Sequence, residues 1–246
     1  MTHTNLLQWN KTQYQGGDGI VIATDSTQEW FLKWWWENYS KHNSYPVTFF
    51  DIGMSQSARN WCENKGSIRS FSFPEGWIAN KETIESHLIQ EWEEKYQGNV
   101  WEGRKQWFCK PYVLLQSPYD RTIWIDLDCE VRGSLTPLFD YCNDKDGFSI
   151  LKLKLDDSSF YSAGVVVSKH GSPVVTKWAE NIYKDNAQHF GEENVLIETL
   201  EQEKFQITPY SLIYNWPTFI PQDAKTVIRH HMGGYGKTHI LRGMSI

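Results

Sequence analysis

Two carboxylates one residue apart, Asp126 and Asp128, end the apolar run Thr122-Ile123-Trp124-Ile125. Strand side chains alternate between two faces, so residues i and i+2 point the same way. If the run is a buried strand, both acids emerge together at its carboxyl end, where they can hold one divalent cation. In an open α/β sheet that edge is where ligands collect. Acids that extend an apolar run are costly to bury unless a cation or hydrogen bonds compensate. Taken alone, the pair also fits a strand running into an acidic, solvated turn.

A second cluster lies near the carboxyl terminus, Ile228-Arg229-His230-His231-Met232-Gly233-Gly234-Tyr235-Gly236-Lys237. Imidazole is a common metal ligand, and a histidine with two carboxylates suits Mn²⁺ or Mg²⁺. Glycines let a backbone approach a ligand closely, and a lysine among them is a natural partner for phosphate. The segment also reads as a flexible exposed terminus with incidental histidines. Asp25 ends the first strand, where a carboxylate can accept hydrogen bonds from a ribose hydroxyl or a base edge; it is also an ordinary helix cap. Lys110, with Arg104 and Lys105 one or two turns earlier, sets cations toward either a diphosphate or solvent. Glu192 and Glu193 open a helix, where acids favour the dipole, and either can also act as a base or stabilise developing positive charge. No Walker-type loop, nucleophile elbow or His-Glu-x-x-His helix appears.

These residues need elements to position them. Gly19 to Thr24 reads as a strand, followed from about Thr27 by a helix with Phe31, Leu32, Trp35 and Tyr39 at helical spacing. Pro46 to Ile52 is a second strand, Ser55 to Lys65 a helix capped by Ser55 or Ser57, and Ser67 to Phe73 a third strand. A charged helix runs from Asn80 to about Tyr96 and is broken by Gln97-Gly98-Asn99. Arg104 to Gln116 is another helix feeding the turn before the acid-tipped strand. Leu135 to Cys142 reads as a short helix, Gly147 to Leu153 and Tyr161 to Ser168 as strands, and Pro173 to Asn186 and Glu192 to Lys204 as helices. The tail after Pro221 reads as a loop closing over something rather than as core. Strands alternating with helices predict an α/β fold with a mainly parallel, doubly wound sheet in one domain.

The bulk properties agree. At 246 residues, 40% hydrophobic and 22% charged, the chain is that of a folded protein. A net charge of −6 argues against a nucleic-acid binder, which would carry a basic stripe. No stretch approaches the roughly 20 apolar residues of a membrane span, and the segment Met1-Thr2-His3-Thr4-Asn5 has no secretory pattern. The four cysteines, Cys62, Cys109, Cys129 and Cys142, form no close pair or metal spacing. A cytoplasmic, reduced setting is expected. Of 13 tryptophans, Trp34-Trp35-Trp36 cannot all face one core in a helix, so at least one should be exposed or touch a partner. With the segment from Pro74 to Trp101 it is a candidate for acceptor or peripheral membrane contact.

In this order the pieces resemble a glycosyltransferase of the GT-A fold, with the closest likeness to family 8, the family of glycogenin and of bacterial lipopolysaccharide galactosyl- and glucosyltransferases. Ala23-Thr24-Asp25 matches its opening Ala-x-Asp-like segment. A Lys-bearing helix, here Lys110, precedes Tyr119-Asp120-Arg121-Thr122-Ile123-Trp124-Ile125-Asp126-Leu127-Asp128. Tyr161-Ser162-Ala163-Gly164-Val165 stands where the family has Phe-Asn-x-Gly-aliphatic. Glu192-Glu193 or Glu193-Asn194 stands for Asp-Gln, and His231, Gly234 and Lys237 fit His-x-x-Gly-x-x-Lys. Ser162 replaces the usual Asn, Glu replaces Asp, and Thr238-His239 replaces the Pro-Trp that often follows the lysine.

The resemblance implies one transferase domain, with a nucleotide-binding part over about 17–132, an acceptor-side part over about 133–220 and a metal and phosphate loop over 226–240. It implies that Asp126, Asp128 and His231 hold Mn²⁺ or Mg²⁺ against the diphosphate of a UDP-sugar, His230 replacing His231 if the tail register differs. Lys237, Gly234 and Lys110 would serve the phosphates, and Ala23 and Asp25 the nucleoside. Glu193, with Glu192 beside it, would stabilise an oxocarbenium-like centre or act as base. The acceptor would be a glycan, a lipid-linked sugar or a protein. Two other readings share the features: a sugar nucleotidyltransferase, which would need a basic Gly-rich loop where Asp25-Ser26-Thr27-Gln28-Glu29 stands, and a non-catalytic binding protein on a decayed transferase core.

Overall fold

A computed structural model describes residues 14–71, 73, 76–96, 100–155, 158–221 and 223–244. Strand β1 (Asp18–Thr24) carries Ile20, Val21 and Ile22, all fully buried. A continuous apolar run of this kind is what a strand covered on both faces needs. Helix α1 (Phe31–Ser40) turns Phe31, Leu32, Trp35 and Tyr39 inward at the expected spacing. Strand β2 (Val47–Asp51) leads to α2 (Gln56–Glu63), where the Ser55 hydroxyl accepts the Ala58 N–H at 3.2 Å and caps the helix. Strand β3 (Ser67–Ser70) is shorter than the sequence suggests.

The charged segment after it holds a single 3₁₀ turn and then α3 (Ser86–Tyr96). The break expected at 97–99 lies outside the described residues. The single helix expected over 104–116 is two, α4 (Val100–Phe108) and α5 (Lys110–Leu115). Pro111 is the reason: inside a continuous helix its ring would collide with the carbonyl four residues back, whereas in a first turn its missing N–H costs nothing.

Strand β4 (Arg121–Ile125) bears the acids, and the short β5 (Cys129–Val131) follows at once. A 3₁₀ helix over Thr136–Cys142 leads to the hairpin of β6 (Phe148–Leu155) and β7 (Ser158–Lys169). Helices α6 (Pro173–Asp185) and α7 (Glu192–Glu203) come next. The chain ends with β8 (Trp216–Pro217), β9 (Ile228–His230) and α8 (Gly233–Met244).

The main sheet has the order β3-β2-β1-β4-β7-β6. Its first four strands are parallel, β7 runs antiparallel to them, and β6, antiparallel to β7, returns to their direction. Helices cover both faces, so two apolar cores form, one around Ile20, Trp35 and Ile123 and the other around Val21, Tyr112 and Trp178. This is the mainly parallel α/β architecture read from the sequence.

The tail is where the structure departs most. Instead of a loop, it forms β9, which pairs antiparallel with β5 and parallel with β8 in a second, three-stranded sheet. Ile228, Arg229, His230 and His231 are buried there. The tryptophan triplet also differs from expectation: Trp35 is fully buried, while Trp34 and Trp36 pack partly buried against the same core. Trp34 sets its edge against His231, and Trp36 lies against Phe49 and Trp61.

All four cysteines are free and buried. Among the described residues no helix is long and apolar enough to cross a membrane. The 74–101 segment buries Trp77 and Trp92.

Candidate active site

The carboxyl ends of β1 and β4 open onto a cleft lined by Ala23, Gln28, Trp124, Asp126, Asp128 and Lys237. Asp126 follows β4 directly. Its carboxylate accepts the Trp124 indole N–H at 2.5 Å and lies 3.2 Å from the Lys110 ammonium. Trp124 and Asp126 share a face of the strand, as the period of two requires. Lys110 is 2% exposed and also donates to the Ala163 carbonyl at 2.7 Å and to Glu192 Oε1 at 2.8 Å. Burial disfavours its charge, but Asp126 and Glu192 outweigh burial and hold the ammonium above the ordinary lysine range. Burial raises Asp126, and neighbouring Asp128 adds to the rise that Lys110 only partly offsets. Asp128 goes the other way: burial is overcome by His230, with help from Lys237 and Lys110, and the carboxyl falls below its usual range.

The register of β5 on β9 decides which histidine meets this pair. Cys129 lies opposite His230, Glu130 opposite Arg229, and the His231 N–H donates to the Asp128 carbonyl at 2.9 Å. Neighbouring residues of a strand face opposite sides. His230 therefore turns toward the acids, with Nε2 3.3 Å from Asp128 Oδ1. His231, expected from the motif spacing to sit beside Asp128, turns away: its Nε2 is 3.0 Å from Glu130 Oε2, and its ring stacks on His239. Glu130 is thereby brought down to about 2, since His231 and Arg132 outweigh its burial.

His230 is held from behind. Its Nδ1 is 3.0 Å from Asn215 Oδ1. The Asn215 amide nitrogen donates to the Ser162 carbonyl at 3.2 Å and to the Tyr210 hydroxyl at 3.3 Å, and that hydroxyl donates to the Val165 carbonyl at 2.6 Å. The amide oxygen must then be what faces the imidazole, so Nδ1 carries a proton. Nε2 is left pointing at a carboxylate, an arrangement that calls for a cation between them, either a proton or a metal. As a proton site it behaves accordingly: burial works against the imidazolium, but Asp128 overrides it and raises the histidine above its usual value.

Gly164 makes room for this ring. A Cβ built there would lie 2.1 Å from His230 Cε1. Asp128, Cys129 and His230 bring one donor atom each to within 4.8 Å of one another. The Cys129 thiol donates to the Gly164 carbonyl at 3.7 Å, and burial pushes it well above its ordinary value. Asp128 and the His230 Nε2, whose far ring nitrogen is oriented by an outer partner, could hold Mn²⁺ or Mg²⁺, with Asp126 on the same lining as a further carboxylate.

The cleft continues into a cavity of about 200 Å³ whose walls include Lys110, Asp126, Asp128, Glu192, Glu193, His230 and Lys237. Glu192 is buried against Lys110. Glu193 is partly exposed, and its Oε1 accepts the Ala163 N–H at 3.1 Å. Burial and then the adjacent Glu192 raise its carboxyl to about 7. Lys237 lines both spaces and makes no ion pair among the described residues.

The remaining sequence candidates are placed differently. Asp25 Oδ1 accepts from the Thr27 N–H at 2.8 Å and from Gln106 at 2.6 Å, so it closes the turn between β1 and α1. Gly233, not Gly234, lines the cavity, and Gly234 is exposed. Arg104 turns away from the cleft to the carbonyls of Asn186, His189 and Phe190, and Lys105 donates to the Ile52 carbonyl. Sequence reasoning missed Asn215, for which no local pattern exists, and Trp124, which the i, i+2 spacing to Asp126 would have found.

The mainly parallel six-stranded sheet flanked by helices is the GT-A glycosyltransferase fold, which the solved structures below share. No family model and no curated protein matches the chain. Among solved structures it is similar to the galactosyltransferase LgtC in complex with donor and acceptor sugar analogs, at 15% identity over 88% of this chain and 87% of that one, with a TM-score of 0.55. It is also similar to the glycosyltransferase GlyE of Streptococcus pneumoniae TIGR4, at 15% identity and TM-score 0.59, covering 89% of this chain and 55% of that longer one. A third likeness is to mouse xyloside xylosyltransferase 1, at 10% identity and TM-score 0.54, covering 88% and 97%. At such identities these likenesses speak to the fold, which is the fold that the ordered motifs predict.

Proposed function

We propose that the protein is a metal-dependent glycosyltransferase that moves a sugar from a UDP-sugar to a glycan, lipid-linked or protein acceptor. The observation that carries this reading is the His230 imidazole, whose protonated Nδ1 is fixed by Asn215 and whose Nε2 is aimed at Asp128. Few arrangements other than a cation site explain a buried histidine held in that way beside two carboxylates at the ligand edge of a sheet.

On this reading Asp126, Asp128 and His230 hold Mn²⁺ or Mg²⁺. The bound ion would neutralise charge gathering on the leaving diphosphate. Lys237, free of ion pairs among the described residues, supplies a second cation to the same phosphates. Lys110 is already committed to Asp126, Glu192 and the Ala163 carbonyl, so it holds the acids in place. Ala23 and Asp25 border the nucleoside. Glu193 faces the sugar, as base if configuration inverts or as stabiliser of a cationic centre if it is retained. The chain then acts as one transferase domain, with its tail as the metal and phosphate segment.

UDP-sugar turnover in the presence of Mn²⁺ tests the proposal, in the wild type and in Asp128→Ala. Loss of turnover in the variant and in excess chelator is expected. Full activity under either condition would end the metal role.

A further inference from the structure

We propose that Trp107, backed by Phe190 and Tyr96, is the platform on which a pyranose ring of the acceptor stacks. The inference rests on the transferase reading and adds to it the substrate contact that sets acceptor affinity.

The cavity has two chemically distinct ends. One carries Lys110, Asp126, Asp128, His230 and Lys237, and suits a metal diphosphate. The other carries Tyr96, Trp107 and Phe190, and Glu193 and Asn194 line the same cavity. Trp107 also borders the cleft that runs to Ala23, so it stands between the two spaces.

The three rings form a continuous wall. Trp107 and Phe190 have centroids 5.5 Å apart, Tyr96 and Trp107 5.1 Å, and Tyr96 and Phe190 6.1 Å. The wall is built rather than incidental. Arg104 is buried among Trp92, Trp101 and Phe108 and holds the carbonyls of His189 and Phe190 at 2.6 and 3.0 Å, which fixes the loop bearing Phe190. Gly103, one turn before Trp107 on α4, leaves the indole space to lie along its own helix, since a Cβ there would be 2.8 Å from Trp107 Cζ2.

All three rings are only partly buried. The indole N–H groups of Trp101, Trp124 and Trp178 each donate to a protein oxygen. That of Trp107 has no partner among the described residues. A half-exposed aromatic face with an unused donor, flanked by a carboxylate and an amide, matches an amphipathic ring. The C–H face of a pyranose covers the indole, and its hydroxyls meet Glu193, Asn194 and the indole N–H. The diphosphate and its metal would take the charged residues, which leaves the aromatic wall to the acceptor ring.

The test uses the full chain labelled with ¹⁵N, with UDP and Mn²⁺ present, and reads its indole N–H signals. Trp107→Phe identifies the signal of interest. The probes are the methyl glycosides of glucose, galactose and xylose. At least one is expected to shift the Trp107 signal saturably. Gly103→Ala keeps the indole but displaces it, and urea unfolding of this variant beside the wild type separates weaker binding from loss of fold.

With the glycoside that binds, acceptor KM in Trp107→Ala and Gly103→Ala is expected to rise about tenfold or more, the effect of losing one stacked ring, and to rise far more than donor KM. The proposal is overturned if no glycoside moves the signal, if uridine alone moves it to the same extent, or if donor KM rises as much as acceptor KM. Absence of UDP-sugar turnover by the wild type would instead defeat the transferase reading, leaving a glycoside-induced shift at Trp107 intact.

Discussion

His230 Nε2 lies 3.3 Å from Asp128 Oδ1, while the next residue, His231, turns its ring to Glu130 on the other side of the same short strand. Two adjacent histidines thus face separate partners, set by the alternation of β9 rather than by their spacing from Gly234 and Lys237. His230→Ala is expected to weaken Mn²⁺ binding in the presence of UDP by at least the 10–100-fold typical of losing even an outer partner of a ligand. His231→Ala should leave that affinity within a few-fold and lower stability by about 1–3 kcal/mol, since Glu130 loses a buried hydrogen-bond partner. Calorimetric titration and denaturant unfolding read the two effects. The opposite pattern, with metal lost in His231→Ala and kept in His230→Ala, would overturn the register argument.

Gly164 gives an independent check on the same ring. A methyl group at this position would meet His230 Cε1 at 2.1 Å, and the ring is enclosed by Asn215 and Asp128, with little space to retreat. Gly164→Ala is therefore expected to cost about 1–3 kcal/mol of stability, the usual penalty for overpacking, and to reduce metal affinity together with His230→Ala. The double variant should bind metal no more weakly than the His230→Ala single, because one ring carries both effects. Additive losses would mean that Gly164 acts through something else.

How far the sequence could be read depends on how local each signal is. β1 and β4 were legible because strands covered on both faces need unbroken apolar runs, and Asp126 and Asp128 because a period of two sets their common face. The split between α4 and α5 was within reach, since Pro111 forbids a continuous helix. The tail was not. Ile228-Arg229-His230 is three residues long and mostly polar, and it becomes a buried strand only because β5 and β8 flank it. The following helix carries four glycines among twelve residues, against helix propensity. The choice of histidine turned on a register of one residue, and a slip of one inverts every side chain. That register is set by Cys129-Glu130-Val131, which no pattern marks as a strand. Asn215 lay beyond any sequence argument, since its role exists only once β9, Ser162 and Tyr210 are brought around it.

Lys110 binds three groups that come from distant parts of the chain: Asp126 after β4, the Ala163 carbonyl in β7 and Glu192 at the start of α7. Its removal leaves buried Glu192 and partly exposed Asp126 without the cation they share. Lys110→Met is expected to cost about 3–5 kcal/mol, the usual effect of breaking a buried pair by deleting one partner. Restoring balance with Lys110→Met and Glu192→Gln together should recover part of the loss. Urea midpoints at pH 7 measure this. A single variant as stable as the wild type would show that the ammonium does not hold the site together.

Glu193 supplies the pH dependence. Burial, followed by the neighbouring Glu192 charge, raises its carboxyl to about 7, against the partial relief of Lys110 and the Ala163 N–H. A group that must act as a carboxylate is then mostly protonated below that pH, so kcat/KM should fall tenfold per pH unit on the acid side and reach a plateau above about pH 8. Stability runs in the opposite sense. An unfolded glutamate titrates near about 4.3, so between that value and 7 the folded chain binds a proton that the unfolded chain has lost. The contribution of Glu193 to stability is complete below about pH 4 and is lost as pH rises through 7. Glu193→Gln cannot ionise, so in the nucleotide-free protein it should remove this decline, and relative to wild type it should gain stability as pH rises from 5 to 8. Urea unfolding of both proteins over that range, beside pH–rate profiles, separates the two effects. An acid limb near pH 7 that persists in Glu193→Gln would assign the titration to another group, and identical stability profiles would show that this carboxyl is not held up by its surroundings.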